Sequence, residues 1–493
     1  MRVLSVLMCM CLLDACHDVS TIARFDGGTG ADADEDGALP DGASDDRIDG
    51  PVRDRSVEDD AVEDTAVGDD GVADARPDEG PMDADPPDAP VDMRVDVGPP
   101  PANLGVDFNA PFLVRGAARL GGGILVVGID NQGDRDTGRT RQALVAFVHE
   151  TNETMDWAFN FGEAGNDQFL DVIVQGDVAI VVGVRRRGSE SDVIILRFDE
   201  EGLLSSRRFP VGNGAFVTGI VPTPDGFVAS GEALDDAALF RFDTAFEEME
   251  ILEFGFLGAF YGVTEHRGTV YAVGVSGSNG IVIEVPASRT PATVPRTVVP
   301  DAELVSVAGQ GASVVVVGVT VAREVGGTRQ ALRMEFRPEV AVQLVDAAVN
   351  RFRQVSFAEG EERYAGILAS ADAAFVARLS GGRVSTQHVR GLTLTGVSGQ
   401  VANLGEDPFL VGFEPVGEAS VAPFRVQIVR SNTLGSFAEG PCGRGPQNWE
   451  LTPDSTRGTS TSNVGVSSRT VEGVDFVLTE VVETTTRRDD CSM

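Results

Sequence analysis

The sequence predicts an all-β protein, a seven-bladed β-propeller, and three observations carry that prediction. Seven short apolar runs each close on a glycine, at Gly128, Gly183, Gly231, Gly274, Gly318, Gly366 and Gly412, with spacings of 55, 48, 43, 44, 48 and 46 residues. A fixed period of that size marks propeller blades. Each unit also divides into four short apolar segments punctuated by turn residues, the pattern of a four-stranded blade. The second segment, as in Val178–Val182 or Val314–Val317, is apolar throughout rather than alternating, so both of its faces must be covered. Eight blades are the alternative, because the C-terminal segment could add half of another.

The chain opens on a different chemistry. Met1 and Arg2 precede an apolar run from Val3 to Leu13, too short to cross a bilayer and of the length of a signal-peptide core. Leu13-Asp14-Ala15-Cys16 is similar to the bacterial lipobox, with Asp14 standing where that pattern carries a small or apolar residue. The similarity implies a lipoprotein signal peptide over 1–15 and lipid attachment at Cys16. A plain secretory signal and a chance apolar start are the other readings. The localisation that follows is the cell envelope, facing the outer membrane or cell surface, with secretion as the alternative.

Residues 16–101 read as a disordered acidic linker rich in Asp, Pro and Ala. From Asp26 to Pro101 there are 25 acidic residues against 5 Arg, and no aromatic. So little apolar surface cannot offset the entropy of ordering the chain. Calcium is the one cofactor this tract suggests, through Asp32-Ala33-Asp34-Glu35-Asp36-Gly37. A calcium loop needs a bidentate Glu at its twelfth position, and Ala43 stands there, which favours diffuse counterion association.

The whole chain carries a formal charge of −38, and all its Lys-plus-Arg content is Arg. Phosphate backbones would be repelled, so nucleic acid is excluded as a partner. The absence of Lys also excludes P-loop and Schiff-base chemistry.

Within the propeller region, 102–437, the second unit is the clearest. It runs Phe161-Gly162-Glu163-Ala164-Gly165-Asn166-Asp167, then Phe169 to Val174, a turn at Gly176, Val178 to Gly183, and Val193 to Asp199. Gly123, Gly176, Gly226, Gly268, Gly311, Gly360 and Gly405 precede the run-closing glycines and suit the turn of the first hairpin. Arg197, Arg241, Arg333, Arg378 and Arg425 recur in the third segment and read as solvated positions on the blade rim. This phrasing resembles the β-propeller repeat of secreted and surface bacterial proteins known as the SBBP type. The likeness is best over 161–209 and fades toward the C-terminus. It implies export and a propeller, and no catalytic residues.

A ring must be closed, since an open sheet edge invites aggregation. The closing strand is expected from Val106-Asp107-Phe108 or from Val474 to Val482. Residues 438–493 read as a C-terminal hairpin or closure segment. If Cys9 and Cys11 leave with the signal and Cys16 is lipidated, Cys442 and Cys491 remain, an even number that suggests a disulfide. Such a bridge would stabilise by about 4 kcal/mol in the chain-entropy picture. Two free thiols are the alternative.

No catalytic constellation emerges. His149, His266 and His388 fall in three different units without metal-ligand spacing, and no G-x-S-x-G elbow occurs. No catalytic, cofactor or metal residue is therefore named. The function read from the sequence is an exported, lipid-anchored, monomeric surface protein. Its propeller is a non-enzymatic binding or scaffold module for a protein or glycan, and it meets the membrane through its lipid alone. The alternative is a hydrolase or lyase acting on extracellular polysaccharide. Ligand contacts are expected in the connections from one unit's last segment to the next unit's first: Glu163, Asn166, Asp167, Asn213, Asn350, Arg351, His388 and Arg390.

Overall fold

The computed structural model describes residues between 104 and 480, continuously over 167–321 and 451–476 and as separate strands or short segments elsewhere. Cys16, Cys442, Cys491, Glu163 and Asn166, and the acidic tract, lie outside the described residues. Among the described residues every regular element is a strand. They form seven antiparallel sheets, six with five strands, which are the blades of a β-propeller, and one with four.

The six five-stranded sheets are complete blades of one plan, numbered by chain order. Blade 1 spans 112–161, blade 2 168–213, blade 3 216–257, blade 4 259–299, blade 5 302–345 and blade 6 349–390. In each, four consecutive strands run from the innermost outward, and a fifth is added at the outer edge. The hydrophobic clusters are shared between neighbouring blades: Ile180 and Val182 of blade 2 cluster with Ala229 and Phe240 of blade 3, for example. This is why the second strand reads as apolar throughout, since a blade is packed on both faces.

Six complete blades stand where seven equal ones were expected. The seventh run, with Gly412, belongs to the four-stranded sheet, built from Ala402–Asn403, Phe409–Pro415, Phe424–Arg430 and, at its edge, Leu104–Asp107. Leu104 pairs with Ile428 and Asp107 with Arg425, so of the two closing candidates it is the N-terminal one that joins this sheet.

The C-terminal segment is neither a hairpin nor half a blade. It returns around the outside of the ring against the direction of the blades. Gly443–Trp449 joins blade 6, Leu451–Pro453 blade 5, Ser460–Gly465 blade 4, Ser467–Glu472 blade 3, Val474–Asp475 blade 2 and Thr479–Glu480 blade 1. Each strand of this belt is antiparallel to the blade's own outermost strand, as in the pairing of Met249 with Val471. Most of the belt over 451–476 is exposed, but Leu451, Val464, Val466, Val471 and Phe476 turn inward onto four of the hydrophobic clusters. The sequence suggests a hairpin here because Gly473 resembles a turn. Instead Gly473 lets the belt press on blade 3, its N–H donating to Glu247 O at 2.8 Å, where a Cβ would meet the Phe209 ring at 2.9 Å.

The run-closing glycines also have a different cause from the one expected. Gly183 lies in the middle of Val178–Arg187, not at its end. A Cβ there would sit 2.4 Å from Gln168 O of the inner strand, and the same intrusion occurs at Gly231, Gly274, Gly318 and Gly366. The period therefore records a close approach of backbone to backbone. The turn reading holds where φ is positive, at Gly176, Gly268 and Gly311.

Two of the third-strand arginines, Arg333 and Arg241, are not the solvated rim positions expected; Arg425's side chain lies outside the described set. Arg333 of blade 5 is buried and donates to Glu362 Oε1 at 2.6 Å and Tyr364 OH at 2.9 Å, both on blade 6. Arg241 of blade 3 reaches blade 4 and donates to Arg289 O at 3.0 Å and Thr290 Oγ1 at 2.9 Å. With a fourth and a fifth strand outside it, the third strand has no open rim to face, and Arg333 and Arg241 each clamp one blade to the next.

Candidate functional site

The inner strands carry the feature that organises the channel. In each of the six complete blades the pairing of first and second strand slips by one residue, leaving Arg115, Leu170, Thr218, Tyr261, Val305 and Arg353 bulged. A bulge bends the strand and re-aims the side chains beside it. The next residues, Gly116, Asp171, Gly219, Gly262, Ser306 and Gln354, form a level around the axis. All of these except Gly116 line a cavity of about 50 Å³.

Most of the polar groups at this level bind neighbouring blades. Asp171 accepts the N–H of Val172 at 2.8 Å through Oδ1 and, across the blade boundary, the N–H of Ile220 at 2.9 Å through Oδ2. Thr218 Oγ1 lies 2.7 Å from Phe260 O of blade 4, and Ser306 Oγ accepts the N–H of Val355 on blade 6 at 3.2 Å. At Gly262 a side chain would collide with Val305 O at 2.8 Å. Desolvation outweighs the two amide hydrogen bonds at Asp171 and raises its carboxyl to about 8.

At blade 6 the stitching changes. Arg353 and Gln354 occupy the positions of Thr218 and Gly219, yet Arg353 Nε and Nη1 and Gln354 Oε1 are sealed from solvent with no hydrogen-bond partner among the described residues. Arg353 is 6% exposed and Arg351, two residues earlier, 4%. Burial lowers the Arg353 guanidinium to about 9, and the nearby positive charges of Arg351 and Arg115 push the same way against Glu303.

The positions expected from the sequence divide. Arg351 lies in this group. Asp167 is buried ahead of the blade 2 inner strand and accepts the Arg186 N–H at 3.2 Å, a structural role. Asn213 is exposed at the end of the blade 2 outer strand. Asn350, His388 and Arg390 lie on the first and fourth strands of blade 6, with side chains outside the described set. Neither Arg115 nor Arg353 was expected. A signal existed: all six bulged residues stand 13 positions before the repeat glycine of their unit, as Arg353 does before Gly366. His149 and His266 are on blades 1 and 4, and no group of three His, Cys, Asp or Glu among the described residues could hold a metal ion.

No family model matches this chain, and no curated protein matches it. Among solved structures it is similar to a crystal structure of an exo-beta-1,3-galactanase from Phanerochaete chrysosporium with beta-1,3-galactotriose. The identity is 10%, the match covers 76% of this chain and 98% of that one, and the TM-score is 0.24. A likeness of that size transfers no residue and no activity.

Proposed function

We propose that this chain is an exported protein, held at the cell envelope by a lipid on Cys16, whose propeller is a non-enzymatic binding module for a protein or glycan. The binding face in this reading is the one that carries the connections from outer to next inner strand, where Asp167 and Asn213 lie. The observation that supports it is the occupation of the channel's polar side chains. Asp171, Thr218 and Ser306 are hydrogen-bonded to the backbone of the next blade, which suits a rigid platform rather than an acid-base pair. A propeller alone decides no function. Labelling cells with an alkyne fatty acid tests the anchor: label on the wild-type chain and none on Cys16→Ser is expected, and equal labelling of the two refutes it.

The hydrolase reading retains one supporting observation, the buried Glu303 Oε1 with no hydrogen-bond partner among the described residues. New reducing ends released from an extracellular polysaccharide, and lost in Glu303→Gln, would replace the binding reading with that one.

We further read the four-stranded sheet as the closing blade, which makes the ring seven-membered. Its packing against the blade 1 inner strand supports this, since three of its strands, Ala402–Asn403, Phe409–Pro415 and Phe424–Arg430, touch Phe112–Leu120. Gly105 and Gln427 are register partners across its edge. Paired strand residues lie at Cα separations within the range of a disulfide. Gly105→Cys with Gln427→Cys is expected to cross-link on oxidation and to unfold at a higher temperature than its reduced form. Failure to cross-link in the folded protein would refute the closure.

A further inference from the structure

We infer that the head of the channel, beside blade 6, is a binding site for a small oxyanion, a carboxylate, sulfate or phosphate group, held by Arg353 and favoured by the positive charges of Arg351 and Arg115. The inference deepens the binding reading by naming the chemistry of the ligand. It does not depend on export or on the anchor.

The starting point is the break in the repeat. At the level of the bulges, Arg353 of blade 6 presents a guanidinium with two nitrogens sealed and, among the described residues, unpartnered. Thr218 and Ser306, on blades 3 and 5, instead spend their hydroxyls on the next blade. Buried charge without a partner costs several kcal/mol, and buried polar groups in folded proteins are nearly always paired. The neighbouring charges relieve this only in part. Arg351 and Arg115 act on Arg353 through their positive charge, and Glu303 is the carboxylate that opposes them. This positive surrounding stands inside a chain whose net charge is −38.

That arrangement is complementary to an oxyanion. Guanidinium groups bind carboxylate, sulfate and phosphate through paired, charge-assisted hydrogen bonds, and do so most strongly where water is excluded. The position adjoins the channel cavity, because Gln354 lines the cavity that also touches Asp171 and Ser306. The acidic exterior would select against polyanions and favour a ligand with one or few negative groups. Arg115 and Arg353 occupy the same bulge position of the first and the last complete blade. A ligand at this point would therefore bridge the two blades between which the chain continues into the four-stranded sheet.

The test is thermal unfolding of the full chain titrated, at fixed ionic strength, with sulfate, with inorganic phosphate and with glucuronate, using glucose as the uncharged control. At least one anion is expected to raise the unfolding temperature saturably while glucose does not. Sulfate or phosphate would assign a tetrahedral group, glucuronate a sugar carboxylate. In Arg353→Gln the half-saturating concentration should rise about tenfold or more, with Arg353→Lys intermediate. Arg115→Gln, on another blade, should also weaken the response and serves if Arg353→Gln does not fold. No saturable response to any of the three anions, or an unchanged response in both variants, overturns the site. Either result leaves the lipid-labelling and polysaccharide assays free to stand or fall alone.

Discussion

A chain ending at Arg430 is expected to lose the folded propeller. Deleting the belt exposes the outermost strands of six blades at once, each a row of unpaired backbone groups ready to pair with another chain. It also uncovers the cluster edges that Leu451, Val464, Val466, Val471 and Phe476 cover. Each such side chain contributes about 1–3 kcal/mol of burial, and each ladder hydrogen bond about 1 kcal/mol net. The summed loss rivals the whole stability of about 5–15 kcal/mol that a domain possesses. Specific ties go too: Arg457 donates to Asp301 O at 2.7 Å, and Arg469 Nη1 to Val211 O at 3.1 Å. Light scattering coupled to gel filtration should show oligomers or aggregate, and limited proteolysis should cut between blades. A monomer that melts with the wild type would show the belt to be an ornament of the fold.

The second large effect concerns Asp171 and pH. Its carboxyl is raised from 3.8 to about 8, so between those values the folded state holds a proton that the unfolded chain has released. Stability from this group is complete below about pH 4 and is lost as pH rises toward 8. A tenfold difference in proton affinity between folded and unfolded chain corresponds to about 1.4 kcal/mol, so the change across the window amounts to several kcal/mol. Asp171→Asn cannot titrate. The stability difference between wild type and Asp171→Asn, read from urea unfolding, should fall steadily from pH 5 to pH 8 and level off beyond. A difference independent of pH would contradict the burial of this carboxyl. Asp171→Leu should be destabilised at every pH by about 1–3 kcal/mol, because the Ile220 N–H is left without its acceptor.

What could be read from the sequence were features that repeat for steric reasons. Gly183 and its counterparts recur because a neighbouring carbonyl occupies the place of a side chain, and that requirement is shared from blade to blade. Val178–Val182 announced a doubly covered strand, and the burial of Val181 and Val182 bears this out. The belt was not legible. Ser460–Gly465 and Ser467–Glu472 are mostly exposed edge strands of polar residues, so they lack the apolar period by which strands are recognised. Their partners lie more than 150 residues earlier, as Val294 does from Val464. The arginine group was half legible. Arg351 stands out by its place in a connection, whereas the charge of Arg115 reaches Arg353 only in the folded ring, from a strand more than 200 residues away. Third-strand arginines such as Arg333 misled because what binds them, Glu362 and Tyr364, is contributed by the neighbouring blade.

The belt gives the molecule an unequal resistance to pulling. Each boundary from blade 1 to blade 6 is crossed twice by the chain, once outward and once on the return, so prying two blades apart loads two peptide connections as well as their packing. The described belt strands end at blade 1 and none joins the four-stranded sheet, whose edge is Leu104–Asp107, a strand of four residues. Any tension arriving from residues before 104 meets that short strand first. In the proposed seven-membered ring the lacing is double and that strand is the single light buckle, so under load the buckle is expected to open before the lacing.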